Sequence, residues 1–350
     1  MDFSFYPALS ALPAPKAQYK GRYVSWCREN PILSYDKMLI SYHYGKKGSR
    51  DDIGDHITSI MGDSGGFQAT SLGIDIDPKD VINWQNRVCD IGLTLDIPPF
   101  DQNNVIGGNY LTGSDFDKCM DVSNKNASMM RGEKDEDLDL YLVIQGGSDR
   151  DRQRWLDGGL KEYDDWEGYA LSVKPQSDPY ILVDWLKFAI DNDLRNIHIL
   201  GVSGRLTIGV MIYFSKYFDS IKFDSSSYSI GKRFRRYFLP YLMLQGMILT
   251  DRENICNEDV KLLPSELPCD CPVCREIDDM EIFVSSSDDK NIASELICMH
   301  NLYQYVRYIQ LLKSLSSDIH VYRRFFPKIS KVIEYGEAKI GGMTSISDWV

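Results

Sequence analysis

Leu140-Tyr141-Leu142-Val143-Ile144-Gln145-Gly146-Gly147 is the stretch from which the fold can be read. Five apolar residues without polar alternation suit a strand buried on both faces. The run stops at one glutamine and two glycines. The same phrase recurs along the chain. Ile57 to Met61 runs into Gly62-Asp63-Ser64-Gly65-Gly66, and Ile91 to Leu95 runs into Asp96. Gly168 to Val173 ends at Lys174-Pro175, Ile197 to Leu200 reaches Gly201, and Ile221 to Phe223 reaches Asp224. Helical periodicity fills the intervals. Asp77-Pro78 places a capping side chain before an N1 proline, with Val81, Ile82, Trp84 and Val88 following. Further helices are predicted from about Tyr180 to Ile190 and from Leu206 to Tyr217. Strands alternating with helices give a parallel sheet.

The polar residues fall at corresponding places. Asp63, Asp96, Gln145 and Asp224 each close an apolar run. In a (β/α)8 barrel such positions converge on one mouth, where catalytic groups sit. One aspartate at a strand end is ordinarily a helix cap; three acids and a glutamine in register point to a shared site. The predicted fold is therefore α/β, a (β/α)8 TIM barrel. It should occupy residues 1–250, and Lys37 to Tyr42 is expected to supply its first strand.

Cys269-Asp270-Cys271-Pro272-Val273-Cys274 packs three thiols into six residues, and His300 follows. Three thiolates and an imidazole complete a tetrahedral shell for Zn²⁺. With no open position, the metal would be structural. Cys298 is the lesser alternative as fourth ligand. This predicts an appended zinc-binding subdomain over residues 251–310, with residues 311–350 closing on the barrel. Cys27, Cys89, Cys119 and Cys256 sit singly and read as small buried residues.

A chain of 350 residues with 43% hydrophobic content can bury a large core. No apolar run reaches the roughly 18 residues of a membrane span. The N-terminus lacks a basic signal region. A cytoplasmic protein without a membrane partner is expected. The net charge of −12 repels phosphates, so a polynucleotide must meet a local basic patch. Lys232, Arg233, Arg235 and Arg236 form one candidate, and Arg323-Arg324 a smaller one.

Asp63-Ser64-Gly65-Gly66-Phe67-Gln68 with Ser71-Leu72 resembles the signature of the tRNA-guanine transglycosylase superfamily. The later pieces follow in that family's order: Leu95-Asp96 with Pro98-Pro99, Ile144-Gln145-Gly146-Gly147, Leu200-Gly201-Val202, Phe223-Asp224-Ser225 and the cysteine-histidine site. The resemblance covers about residues 55 to 310. It implies a zinc-bearing barrel that exchanges guanine for a 7-deazaguanine through a covalent sugar-aspartate intermediate. Asp224 would be the nucleophile and Asp63 the general acid/base. Asp96 would accept from the guanine N1–H and 2-amino group, and Gln145 would donate to O6. Phe67 and Leu200 would sandwich the purine, while Ser64, Gly65, Gly146, Ser172 and Gly201 would complete the pocket. Homodimers built through the zinc region also occur in the family.

Bacterial tRNA enzymes follow the nucleophile with Leu-Pro-Thr-Arg. Here Asp224-Ser225-Ser226-Ser227-Tyr228-Ser229 stands instead, more like the archaeosine-type enzymes and the DNA-guanine transglycosylases of bacterial and phage modification systems. Both use 7-cyano-7-deazaguanine. About 40 residues follow the zinc helix, fewer than an RNA-binding module needs. DNA is therefore the expected polymer and tRNA the alternative, with protection from restriction the expected purpose. A non-catalytic nucleic-acid-binding subunit is a further alternative, against which both catalytic acids are present.

Overall fold

The computed structural model describes residues 2–100, 110–173, 178–202, 204–229, 236–240, 246–248, 254–256, 261–262, 269–277, 290–315 and 318–341. Eight parallel strands close a barrel. They are β1 (Asp2–Leu9), β2 (Lys37–Ser41), β3 (Ser59–Asp63), β4 (Ile91–Leu93), β5 (Asp139–Ile144), β6 (Gly168–Leu171), β7 (Asn196–Ile199) and β8 (Ser220–Ser225). The seam closes where β1 pairs with β8, from Asp2↔Ser220 to Pro7↔Ser225, and with β2 through Ala8↔Leu39 and Leu9↔Ile40.

The apolar run Leu140 to Ile144 is buried on both faces, as its composition demands. Tyr141 and Val143 join Tyr6, Leu39, Met61, Leu93 and Ala170 inside the barrel. Leu140, Leu142 and Ile144 face the outer core under the helices. The side-chain period of two thus splits one apolar segment between two cores.

One expectation is corrected. Lys37–Ser41 is the second barrel strand, and the first is Asp2–Leu9. Pro7 lacks an N–H and argues against a central strand. The segment is nonetheless one, with Phe3 and Phe5 packed outward and Tyr6 inward.

The helices follow the caps that announced them. Asp77 accepts from the Lys79 N–H at the start of Pro78–Val88, and Asp178 from the Tyr180 N–H at the start of Pro179–Asp191. Helix Arg205–Phe214 continues as a 3-10 turn through Tyr217. A small antiparallel sheet spans Arg236–Phe238, Gly246–Ile248, Asn254–Cys256 and Lys261–Leu262. Helix Lys290–Ser314 lies against the barrel seam, where Tyr305 stacks on Phe5 with centroids 4.7 Å apart. Helix Pro327–Ile340 packs over the helices that precede β7 and β8, and pairs Lys339 with Asp184 and Glu337 with Tyr213. Among the described residues no helix is long and apolar enough to cross a membrane.

Candidate active site and metal centre

All eight strands deliver a side chain to one cavity of about 570 Å³ at the C-terminal mouth of the barrel. Ala8, Ser41, Asp63, Asp96, Gln145, Ser172, Leu200 and Asp224 stand at the ends of β1 to β8 in turn or just past them. Phe67 and Gly201 also line it, with Phe67 40% exposed at the rim. Eight expected site residues, Asp63, Phe67, Asp96, Gln145, Ser172, Leu200, Gly201 and Asp224, thus meet in one place. Ser64, Gly65 and Gly146 lie just behind. Ser64 is buried, and its hydroxyl has no partner among the described residues. Gly146 abuts helix Asp149–Gly159, where its carbonyl accepts from Arg152 Nε at 3.3 Å.

The two catalytic candidates occupy contrasting surroundings. Burial pushes the Asp63 carboxyl up to about 6, the Ser41 hydroxyl opposes this, and the charge of Asp224 adds to it. The aspartates therefore sense one another across the cavity. Asp224 is instead gripped by donors. Its Oδ1 accepts from His198 Nε2 at 3.0 Å and from the Gly201 N–H at 2.9 Å. Gly201 turns the chain at φ +66°, a left-handed geometry that suits glycine.

Asp96 and Gln145 form a pair on the far wall. Gln145 Nε2 donates to Asp96 Oδ2 at 2.6 Å, and Gln145 Oε1 is buried with no partner among the described residues. Burial pushes Asp96 up to about 7, with Gln145 opposing and Asp63 reinforcing. The helix Gly66–Leu72 closes on this pair. A Cβ on Gly66 would stand 2.3 Å from the Asp96 carbonyl oxygen and 2.8 Å from its Oδ1. Only glycine fits there without displacing Asp96.

Cys269, Cys271, Cys274 and His300 bring their ligand atoms within 4.8 Å of one another. The three sulfurs lie 3.6, 3.4 and 3.4 Å from His300 Nδ1. Tetrahedral bonds of about 2.3 Å to sulfur and 2.0 Å to nitrogen imply a separation of about 3.5 Å. The residues fit a metal. His300 Nε2 donates to the Phe238 carbonyl at 2.8 Å, which leaves Nδ1 bare toward the thiols. Tyr237 stacks on the imidazole at 3.7 Å and meets Cys274 Sγ at 3.2 Å. His300, not Cys298, completes the set among the described residues.

The basic run is mostly unplaced: Lys232, Arg233 and Arg235 lie outside the described residues. Arg236 is half-buried on the small sheet, its guanidinium over the Phe238 ring, and is not in the cavity wall. His198, a histidine between two isoleucines, is a functional residue that local sequence does not single out. Its inward parity on β7, two residues before Leu200, was the available signal.

Residues 48–315 match the family described as "Queuine tRNA-ribosyltransferase". The chain belongs to this family. A tRNA-guanine(15) transglycosylase of Korarchaeum cryptofilum (strain OPF8) is 27% identical over 255 residues. That match covers 70% of this chain and 38% of the relative, so the chain spans well under half of the relative's length. The family match takes in β3 through the metal centre and the helix that carries His300.

Proposed function

We propose that the chain is a base-exchange guanine transglycosylase in which Asp224 attacks the sugar and Asp63 moves the proton. The observation that supports this most is the meeting of both carboxylates in one cavity, in environments that suit different roles. Separating the properties of two nearby acids by environment is how a site runs nucleophile and acid chemistry together. Asp224 bonds to the anomeric carbon as the sugar-base bond breaks, and the electron pair leaves on the ring nitrogen, which Asp63 protonates. The incoming base reverses both steps, and Asp63 takes its proton. Two displacements restore the original stereochemistry.

Asp96 and Gln145 read the base. Guanine offers N1–H and a 2-amino group to Asp96, and Gln145 must turn from Asp96 to donate to O6. A base lacking those donors would leave a buried carboxylate unpaired. Phe67 and Leu200 take the ring, and Ser172 and the Gly201 turn bound the pocket. The cysteine-histidine centre holds Zn²⁺ as a structural metal, and no step of the exchange passes through it.

DNA is the proposed polymer and 7-cyano-7-deazaguanine the incoming base. The support is the serine run after Asp224, where bacterial tRNA enzymes carry an arginine. Exchange into tRNA is the second reading, favoured by the similarity to a tRNA-guanine(15) transglycosylase. Radiolabelled guanine or the 7-cyano base is offered with duplex DNA, single-stranded DNA or unmodified tRNA. Label is expected in DNA without abasic sites. Label entering tRNA alone overturns the DNA assignment, and abasic product overturns exchange in favour of hydrolysis.

A further inference from the structure

We infer that His198 is a positioning residue that dictates which oxygen of Asp224 attacks the sugar; this rests on Asp224 being the nucleophile. His198 is fully buried and pairs in register with Lys222, one inward layer below Asp224 on the neighbouring strand. It does not line the cavity, so it acts only through Asp224. Its Nε2 and the Gly201 N–H converge on the same oxygen, Oδ1. Among the described residues no hydrogen bond is made to Oδ2.

The second ring nitrogen fixes the tautomer. His198 Nδ1 is buried and finds no partner among the described residues. With the proton on Nε2, only a lone pair goes unpaired at Nδ1. The opposite tautomer would bury an unpaired N–H and set a lone pair against the carboxylate. An apolar side chain would fill this layer without the cost of an unsatisfied nitrogen, so the imidazole is there for the bond it makes.

Two donors on Oδ1 leave Oδ2 as the attacking atom. Oδ2 forms the bond to the anomeric carbon, the sugar-base bond breaks, and its electron pair departs on the base. Oδ1 then becomes the ester carbonyl oxygen and keeps both donors. When the incoming base displaces the ester, the same donors receive the returning negative charge. They act in both displacements without moving, as preorganised donors do.

The test compares His198→Phe, which fills the site without a donor, with His198→Gln, whose amide reaches the place of Nε2. Loss of one hydrogen bond to a charged group corresponds to about 10- to 100-fold. His198→Phe is expected to lower kcat by that factor, with KM for guanine and the melting temperature unchanged, and His198→Gln to recover most of the loss. Equal loss in both variants, or a rise in KM at constant kcat, overturns the proposal. Nitrogen-15 spectra of the full chain give an independent reading. They should show His198 protonated at Nε2 and bare at Nδ1, with the ring signals shifting in Asp224→Ala. An Nδ1-protonated ring, or one indifferent to Asp224, also overturns it. If the wild type exchanges no base into any polymer, the functional reading fails, and the spectra alone judge the orientation of Asp224.

Discussion

Replacing Asp63 by asparagine should stabilise the protein above neutral pH while abolishing base exchange. The side chain is largely withdrawn from water and its carboxyl is pushed from 3.8 up to about 6, chiefly by burial. At 1.36 kcal/mol per pH unit this corresponds to about 3 kcal/mol of penalty for the ionised form. Solvent reaching the cavity screens part of it, leaving about 1 to 3 kcal/mol. The sign follows from the folded value lying above the unfolded one. The penalty is absent well below pH 3.8, grows as pH rises through the interval, and is complete above about pH 6. Asparagine keeps the shape and carries no charge. Urea unfolding of both proteins at pH 4.5 and pH 8 reads the effect directly. The advantage of Asp63→Asn is expected to be about 1 to 2 kcal/mol larger at pH 8. A pH-independent difference, or an asparagine variant less stable at pH 8, would refute the electrostatic account of this site.

Other consequences follow from the same geometry. Asp96→Asn should raise KM for guanine by about 10- to 100-fold through loss of a charged acceptor, measurable by steady-state exchange. Gly66→Ala should cost about 1 to 3 kcal/mol by overpacking and raise KM as well, because its methyl group collides with Asp96. An unchanged KM would mean the helix yields instead. Elemental analysis is expected to find one zinc per chain, and Cys271→Ala should abolish it and lower the melting temperature. An unaltered metal content would remove Cys271 from the ligand set.

The barrel was legible because parallel strands buried on both faces are long apolar runs with one polar residue at the tip. Leu140 to Ile144 carries that signal plainly, and Asp63, Asp96, Gln145 and Asp224 mark the tips. Asp2–Leu9 carries it poorly. Pro7 interrupts the run, Ser4 dilutes it, and no acid ends it, so its place was set only by pairing with β8 and β2 across the seam. His198 was hidden differently. Local sequence shows a histidine among isoleucines, and only barrel register turns it toward Asp224. Cys269, Cys271 and Cys274 were readable from spacing alone. The second layer around them, Phe238 and Tyr237, is not, because those residues lie far away in sequence and meet His300 only in the folded chain.

The central claim is that Asp224 carries the sugar while the base is changed, with Asp63 supplying and removing the proton at the other end of the same bond. The protein mixed with an oligonucleotide, denatured during the reaction and mapped by peptide mass spectrometry, tests it. One nucleic-acid adduct on the peptide containing Asp224 is expected, absent in Asp224→Asn and released when free guanine is added before denaturation. An adduct on another residue, or full exchange by Asp224→Asn, would contradict it.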